Sequence, residues 1–386
     1  MSRMKNLYVF FLCIYLFSLP LGAVSIGAIG SALKLIAILP FLLAIFDFKN
    51  YKLTSQIIIY FLYILICGFS VLYALNVTAA WSKFSSLVLL FLLLASTGSF
   101  GYSDEDIKKI KNALIWSSRI SVVLCLIFNN YVEGRLFFEN DIFSEDPNYF
   151  CAYLSFGIIY AIERLFAPKK IVLKIMALVE LGIYLTVALL TGSRGGLLAL
   201  LFGALIYVIC SAKKTINFKA LLILISIILC LYIGVSFLSE EMLVRFTLQN
   251  VKETGGSGRI EIWKRAFQMF KISNGARKIF GQGIGNTIVA WSYYGINEFH
   301  VCHNMFIESL IEIGCLGALV YTYMIFTFIK ASFVQQQKFA FGVIMVMFIL
   351  SLSTSISTFK PYFNIMLYIL CLGKCTKERR LQSKEL

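Results

Sequence analysis

Apolar residues in this chain come in unbroken runs of roughly 20 positions rather than in alternating or one-faced patterns, and that continuity restricts the fold more than any other feature. Inside a bilayer no water reaches the backbone, so every N–H and C=O must be paired within a helix or around a closed barrel. Continuous runs exclude the barrel, whose strands alternate apolar and polar residues. Composition agrees: 59% of the 386 residues are hydrophobic, 14% are charged and the mean hydropathy is +0.83, whereas soluble domains carry about 25% charged residues. The sequence therefore predicts an all-α polytopic membrane helical bundle.

Twelve runs qualify as spans: 7–24, 26–46, 55–75, 84–101, 112–129, 149–166, 171–191, 195–211, 218–238, 303–329, 339–358 and 361–374. Three of the connections are very short, so the expected count is about twelve, within 10 to 12. Three regions follow: residues 1–238 with the first nine spans, an external or periplasmic loop at 239–302, and 303–386 with the last three spans and a tail. With the N-terminus inside, 21 Lys and Arg fall on the inner side and 12 on the outer, and 8 of the outer ones sit in the long loop. Long loops escape the positive-inside rule, so both termini are expected in the cytoplasm of a multi-pass cytoplasmic (inner) membrane protein. The first run is read as a retained helix rather than a cleaved leader, because eleven more spans follow it.

The same rule accounts for the net charge of +15 without nucleic acid. The ten cysteines are scattered and show no CxxC spacing, which argues against a metal knot or a disulfide framework. No cofactor and no metal are expected.

Polar clusters are costly in so apolar a chain and therefore mark candidate sites. Glu139-Asn140-Asp141 and Asp146-Pro147-Asn148 lie in an external loop before the sixth span; the second triplet also has the chemistry of a turn and helix cap. Thr191-Gly192-Ser193-Arg194-Gly195-Gly196 follows the seventh span. Its glycines let backbone approach a ligand, and its Arg and helix start suit a phosphate, although a tight turn with a snorkelling Arg is the plainer alternative.

In the long loop, Gly255-Gly256-Ser257-Gly258 is a hinge leading into an amphipathic helix over Arg259–Lys271. Ile260, Ile262, Trp263, Ala266, Phe267, Met269 and Phe270 take one half of the wheel, and Glu261, Lys264, Arg265, Gln268 and Lys271 the other. Arg259 points to the apolar half, so it ranks above Arg265 as a contact for an anionic ligand. Gly281-Gln282-Gly283-Ile284-Gly285 is read as a backbone turn, since no Rossmann unit fits this setting. The two histidines, His300 and His303, fit no established metal spacing. At a helix N-terminus His303 stays neutral and suits a general base, with a capping role as the alternative. Asn304, Glu308 and Glu312 form a stripe into the membrane whose partners are sought in Lys34, Arg119 or Glu180.

In order along the chain, Asp146-Pro147-Asn148, Thr191-Gly192-Ser193-Arg194-Gly195, Ser257-Gly258-Arg259 with Trp263, Gly281-Gln282-Gly283-Ile284-Gly285-Asn286, and His303-Asn304 ahead of Glu312-Ile313-Gly314 form a pattern. It resembles the O-antigen ligase and polymerase (Wzy-type) family of bacterial membrane glycosyltransferases, in detail over about 140–320. The resemblance implies a GT-C-like bundle with one large periplasmic loop. It also implies transfer of a glycan from an undecaprenyl-pyrophosphate carrier to a glycan acceptor, without metal and with inversion. It further implies catalytic roles for Arg194 and Arg259 on the pyrophosphate and for His303 at the acceptor hydroxyl, with Arg265, Trp263, Asn304, Asp146, Asn148, Gly192 and Ser193 about the substrates.

Asp-Pro-Asn and the modest length favour a polymerase joining repeat units of O-antigen, capsule or exopolysaccharide. A ligase acting on a lipid A core or protein acceptor is the alternative, and a transporter or flippase the second. Membrane lipids, a chain-length regulator and a flippase are the expected partners.

Overall fold

The computed structural model describes residues 2–23, 25–26, 30–46, 51–132, 134–139, 144–168, 170–212, 218–335, 337–355 and 358–382. The first nine helices are α1 (Ser2–Phe17), α2 (Ala32–Ile45), α3 (Ser55–Val71), α4 (Val77–Ser96), α5 (Asp104–Ile127), α6 (Pro147–Phe166), α7 (Ile171–Leu190), α8 (Arg194–Ser211) and α9 (Phe218–Val235). Short helices α10 (Glu240–Arg245) and α11 (Leu248–Glu253) precede α12 (Arg259–Ile272), and α13 (Gly275–Phe280) and α14 (Thr287–Tyr293) follow it. The chain ends with α15 (Met305–Val334), α16 (Lys338–Ser351) and α17 (Lys360–Gln382).

Each of the twelve expected runs is matched by a helix, and the protein is an all-α membrane bundle. By length and composition seven described segments can cross a bilayer, α4 with its 3-10 extension to Ser99, α5 to α9, and α15; α2 from Leu33, α3 and α16 are shorter apolar helices. Two small antiparallel sheets were not expected: β1 (Ser25–Ile26) with β2 (Gly30–Ser31), and β3 (Asn129–Val132), β4 (Arg135–Glu139) and β5 (Ser144–Glu145) between α5 and α6. Asn140 and Asp141 of the first polar cluster lie outside the described residues.

The helix ends are set by local chemistry. Ser103 and Asp106 form a capping box at α5, and Lys5 at the start of α1 donates to Asp106 at 2.8 Å. α6 is the most enclosed span, burying residues on every side from Phe150 to Ile162 against α5, α7, α8 and α16. α8 and α16 touch at Gly203, where a Cβ would lie 2.1 Å from Val346 Cγ2, the close small-residue approach that van der Waals packing in lipid favours.

The intramembrane charges pair differently from the expectation. Glu308 and Glu312 do face the interior, but their partner is Lys83: its Nζ lies 3.1 Å from Glu308 Oε1 and 2.9 Å from Glu312 Oε2. Lys83 was assigned to the connection before a span starting at 84; α4 instead begins at Val77 and carries it into the bundle. Arg119 and Glu180 pair with each other at 2.8 Å, with Arg164 reaching the same carboxylate at 3.5 Å. Lys34 contacts neither glutamate and lines a separate cavity.

α15 is broken at Gly314, which adopts φ 67°, ψ −173°. The break frees the carbonyls of Ile311 and Glu312, and the 281–285 turn supplies the missing donors: Gln282 N–H to Ile311 O and Gly283 N–H to Glu312 O, both at 2.9 Å. A Cβ on Gly281 would lie 2.3 Å from Glu312 O, and one on Gly314 2.2 Å from Ile279 O. The Gly-Gln-Gly-Ile-Gly segment is thus a backbone turn, and its glycines allow two backbones to meet.

Candidate active site

The starts of α6, α8, α12 and α15 meet at one end of the bundle. Asp146 caps α6, accepting from Asn148 N–H at 2.7 Å and from its side-chain amide at 2.6 Å, with Pro147 at the first helical position. Asn148 Oδ1 accepts from Ser193 Oγ at 2.7 Å, and Ser193, 1% exposed, caps α8 through Gly196 N–H at 3.0 Å. The cap reading of Asp146 therefore holds, Ser193 is a second cap, and the same contacts lock the two motifs together.

Gly192 adopts φ 63°. This left-handed turn presents the Gly192 carbonyl to Arg245 Nε at 3.0 Å, while the Thr191 carbonyl accepts from Arg135 Nε at 3.1 Å. Sequence reasoning passed over Arg135 and Arg245, because each stands alone on its own segment, β4 and α10, and only the fold brings them to the α7–α8 turn.

Arg194, the first residue of α8, donates from Nη2 to Asn250 Oδ1 at 2.5 Å. Its Nε and Nη1 are buried and find no hydrogen-bond partner among the described residues. A buried guanidinium with two open donors is arranged for an anion. Arg259 begins α12 after Gly255, Gly256, Ser257 and Gly258, all four with φ between 55° and 77°. It points inward as its wheel position predicts: its Nη1 lies 3.1 Å from where a Cβ on Gly195 would be, so the absence of a side chain there seats it against the start of α8. Burial pushes the Arg259 guanidinium down from its ordinary value, Asp146 pulls it back, and Arg194 and Arg245 add to the depression. Mutually repelling arginines gathered with one carboxylate leave a net positive seat.

His303 precedes α15 and holds a left-handed backbone, φ 47°, rare for a residue with a side chain. Burial lowers its pKa below 6.5, with Arg259 the next cause in the same direction, while Asp146, Glu308 and, more weakly in the lowering sense, His300 also reach it electrostatically. The imidazole is therefore neutral near pH 7 and available to accept a proton.

The segment around His303 is held from several sides. Asn304 caps α15, accepting from Phe306 N–H at 3.0 Å and Ile307 N–H at 3.1 Å, and its amide donates to Leu352 O at 3.1 Å. Trp263 Nε1 donates to Cys302 O at 2.9 Å. Below it Ile262, Ala266 and Met269 pack on Trp291, Cys302 and Ile311, leaving Ile260 and Phe267 exposed on the outer flank of α12. Arg265 does not turn toward the arginines; it donates to Asn297 O at 2.7 Å and to Glu298 Oε2 at 3.1 Å. Glu298 in turn holds His300 Nδ1 at 2.8 Å. Asn304, Trp263 and Arg265, proposed from sequence to meet substrate, are engaged in holding the loop.

A charged, partly buried floor lies beneath. Thr287 Oγ1 donates to Glu312 Oε1 at 3.0 Å and Ser355 Oγ to Glu308 Oε2, around the Lys83 amine. This floor links the 281–287 segment, α4 and α15 to the residues beneath His303.

Comparison with known proteins bears on this region. A chain of the solved structure described as "Structural coordination of polymerization and crosslinking by a peptidoglycan synthase complex" is similar at a TM-score of 0.47 and 15% identity, over 86% of this chain and 99% of that one. No curated protein matches the sequence. Residues 179–322 match the family model of the O-antigen ligases, a stretch that contains Arg194, Arg259 and His303. Over that segment the chain is similar to the O-antigen ligase family.

Proposed function

We propose that the protein is a polysaccharide polymerase that joins undecaprenyl-pyrophosphate-linked repeat units on the outer face of the cytoplasmic membrane. The observation that carries this reading is the guanidinium of Arg194, buried with two unpartnered nitrogens beside the inward-facing Arg259. The acceptor hydroxyl attacks the anomeric carbon from the face opposite the carrier, and His303 takes its proton. The bond from that carbon to the pyrophosphate oxygen breaks, and its electron pair leaves with undecaprenyl pyrophosphate. Arg194 and Arg259 offset the charge growing on that oxygen, a task that planar donor forks perform without a divalent cation. Direct displacement inverts the anomeric centre. Asp146 and Asn148 cap α6 beside the turn that Gly192 and Ser193 shape to present Arg194.

A ligase reading is favoured by the description of the matching family model itself. Both readings use one donor chemistry and differ in the acceptor. Purified protein with a lipid-linked repeat unit, in chelator and with no other enzyme, separates them. A ladder of lengthening lipid-linked products, abolished by His303→Ala, is the expected result. A donor consumed only after a lipid core or protein acceptor is added replaces the polymerase with the ligase, and an unchanged donor in both cases overturns both.

A further inference from the structure

A cavity of about 450 Å³ lies between α1, α2, α4 and the start of α17 and shares no residue with the arginine cluster. Its walls are Ile38, Phe41 and Leu42 of α2 and Leu89 and Leu93 of α4, with Lys34 and Lys360 as its charged side chains. Both lysines sit in the first turn of their helices. That is an unfavourable place for a cation, because the helix dipole is positive there and Lys34 projects from an apolar wall. An anion at Lys34 offsets that cost, and Lys360, held at the α1–α2 connection, adds a second positive charge to the same cavity.

The two lysines mark the end of the bundle that carries His303. Lys360 Nζ donates to Gly22 O at 2.7 Å, which brings the start of α17 to the α1–α2 connection. Phe359, beside it, packs its ring 4.8 Å from that of Tyr149 in the first turn of α6, next to Asp146 and Asn148. From Lys34 the apolar wall then descends along α2 to Leu42, about 12 Å at 1.5 Å per residue.

We propose that this groove binds one anionic phospholipid of the membrane leaflet on the His303 side, its phosphate at Lys34 and Lys360 and one acyl chain along Ile38, Phe41, Leu89 and Leu93. Two amines above a short apolar wall complement a single phosphodiester with the upper part of one fatty chain, the rest of which continues into the leaflet. The site is independent of the glycan chemistry, so it stands or falls separately from the proposed activity.

The test places a tryptophan in the wall. Full-length Phe41→Trp protein is reconstituted in vesicles carrying either brominated phosphatidylglycerol or brominated phosphatidylcholine, and the quenching of the parent's own tryptophans is subtracted. Phosphatidylglycerol is expected to quench at about thirty-fold lower mole fraction than phosphatidylcholine, the preference two lysines confer near a surface. Lys34→Gln in the same background is expected to narrow that difference to about five-fold, and Lys34→Arg to keep it. Equal quenching by both lipids before any lysine is changed overturns the proposal. So does relief of quenching by undecaprenyl phosphate at a mole fraction where unbrominated phosphatidylglycerol has no effect, which gives the groove to the carrier lipid. Should Phe41→Trp fail to fold, native mass spectrometry of the wild type and Lys34→Gln decides: phosphatidylglycerol retained less by the second than by the first supports the site, and equal retention refutes it.

Discussion

The Ser193 hydroxyl donates to Asn148 Oδ1 at 2.7 Å, joining the first turn of α6 to the cap of α8 across forty-five residues. Ser193 is buried, so Asn148→Ala removes the acceptor of its hydroxyl while leaving the cap of its own helix. The expected cost is about 1 kcal/mol of stability, accompanied by loss of activity as Arg194 is released from its setting. Thermal unfolding followed by tryptophan fluorescence, beside a product gel, measures both. Unchanged activity in a destabilised protein would limit this contact to structure.

Lys83 is the single cation between two buried carboxylates, with Glu308 and Glu312 only 2% and 1% exposed. Lys83→Met is expected to destabilise the fold by about 3–5 kcal/mol, since it leaves charges buried without their partner. Adding Glu312→Gln recovers part of that loss. Detergent-solubilised variants ranked by fluorescence-detected gel filtration after heating give the order; a double variant less stable than Lys83→Met contradicts the pairing.

The pH dependence follows from His303. Its pKa is held below 6.5 by burial and by Arg259, and the base must be neutral, so kcat/KM rises through a limb centred below pH 6.5 and is flat above it. Arg259→Gln removes the neighbouring cation and moves that limb to higher pH, while Arg259→Lys leaves it in place. A pH–rate profile of each variant reads the shift. Stability moves with the same proton: His303 binds it less readily folded than unfolded, so stability falls as pH drops from the unfolded value of about 6.5 through the lower folded one.

Gly281 and Gly314 meet backbone to backbone, and each carries a positive φ. Alanine at either position is expected to cost more than the roughly 1–3 kcal/mol of the backbone conformation alone, because the added carbon overlaps a peptide group. Gly255→Ala supplies the control, having a similar φ with nothing within 4 Å of the new carbon. Expression and melting temperature of the three variants test the order.

The apolar runs declared every long helix, because lipid imposes one requirement on each segment separately. Capping chemistry was equally local: Asp146-Pro147-Asn148 and Ser193 announced helix starts, and the wheel position of Arg259 announced its inward direction. What depended on distant partners stayed hidden. Lys83 looked like a loop charge because polar residues dilute the first turn of α4. Arg135 and Arg245 gave no signal, since neither belongs to a motif of its own. Arg265 and Trp263, read as ligand contacts from their motif, turn to the backbone around residues 297 and 302, a choice that only the folded loop decides.

The pairing of Lys83 with Glu308 also has a meaning in time. The two residues are 225 positions apart, so at synthesis rates of roughly 5–20 residues per second the lysine waits about 10–45 s before its carboxylate emerges. During that interval α4 holds an uncompensated cation within a growing membrane bundle. Truncation anywhere before residue 308 therefore leaves α4 with a cation whose two carboxylates are missing.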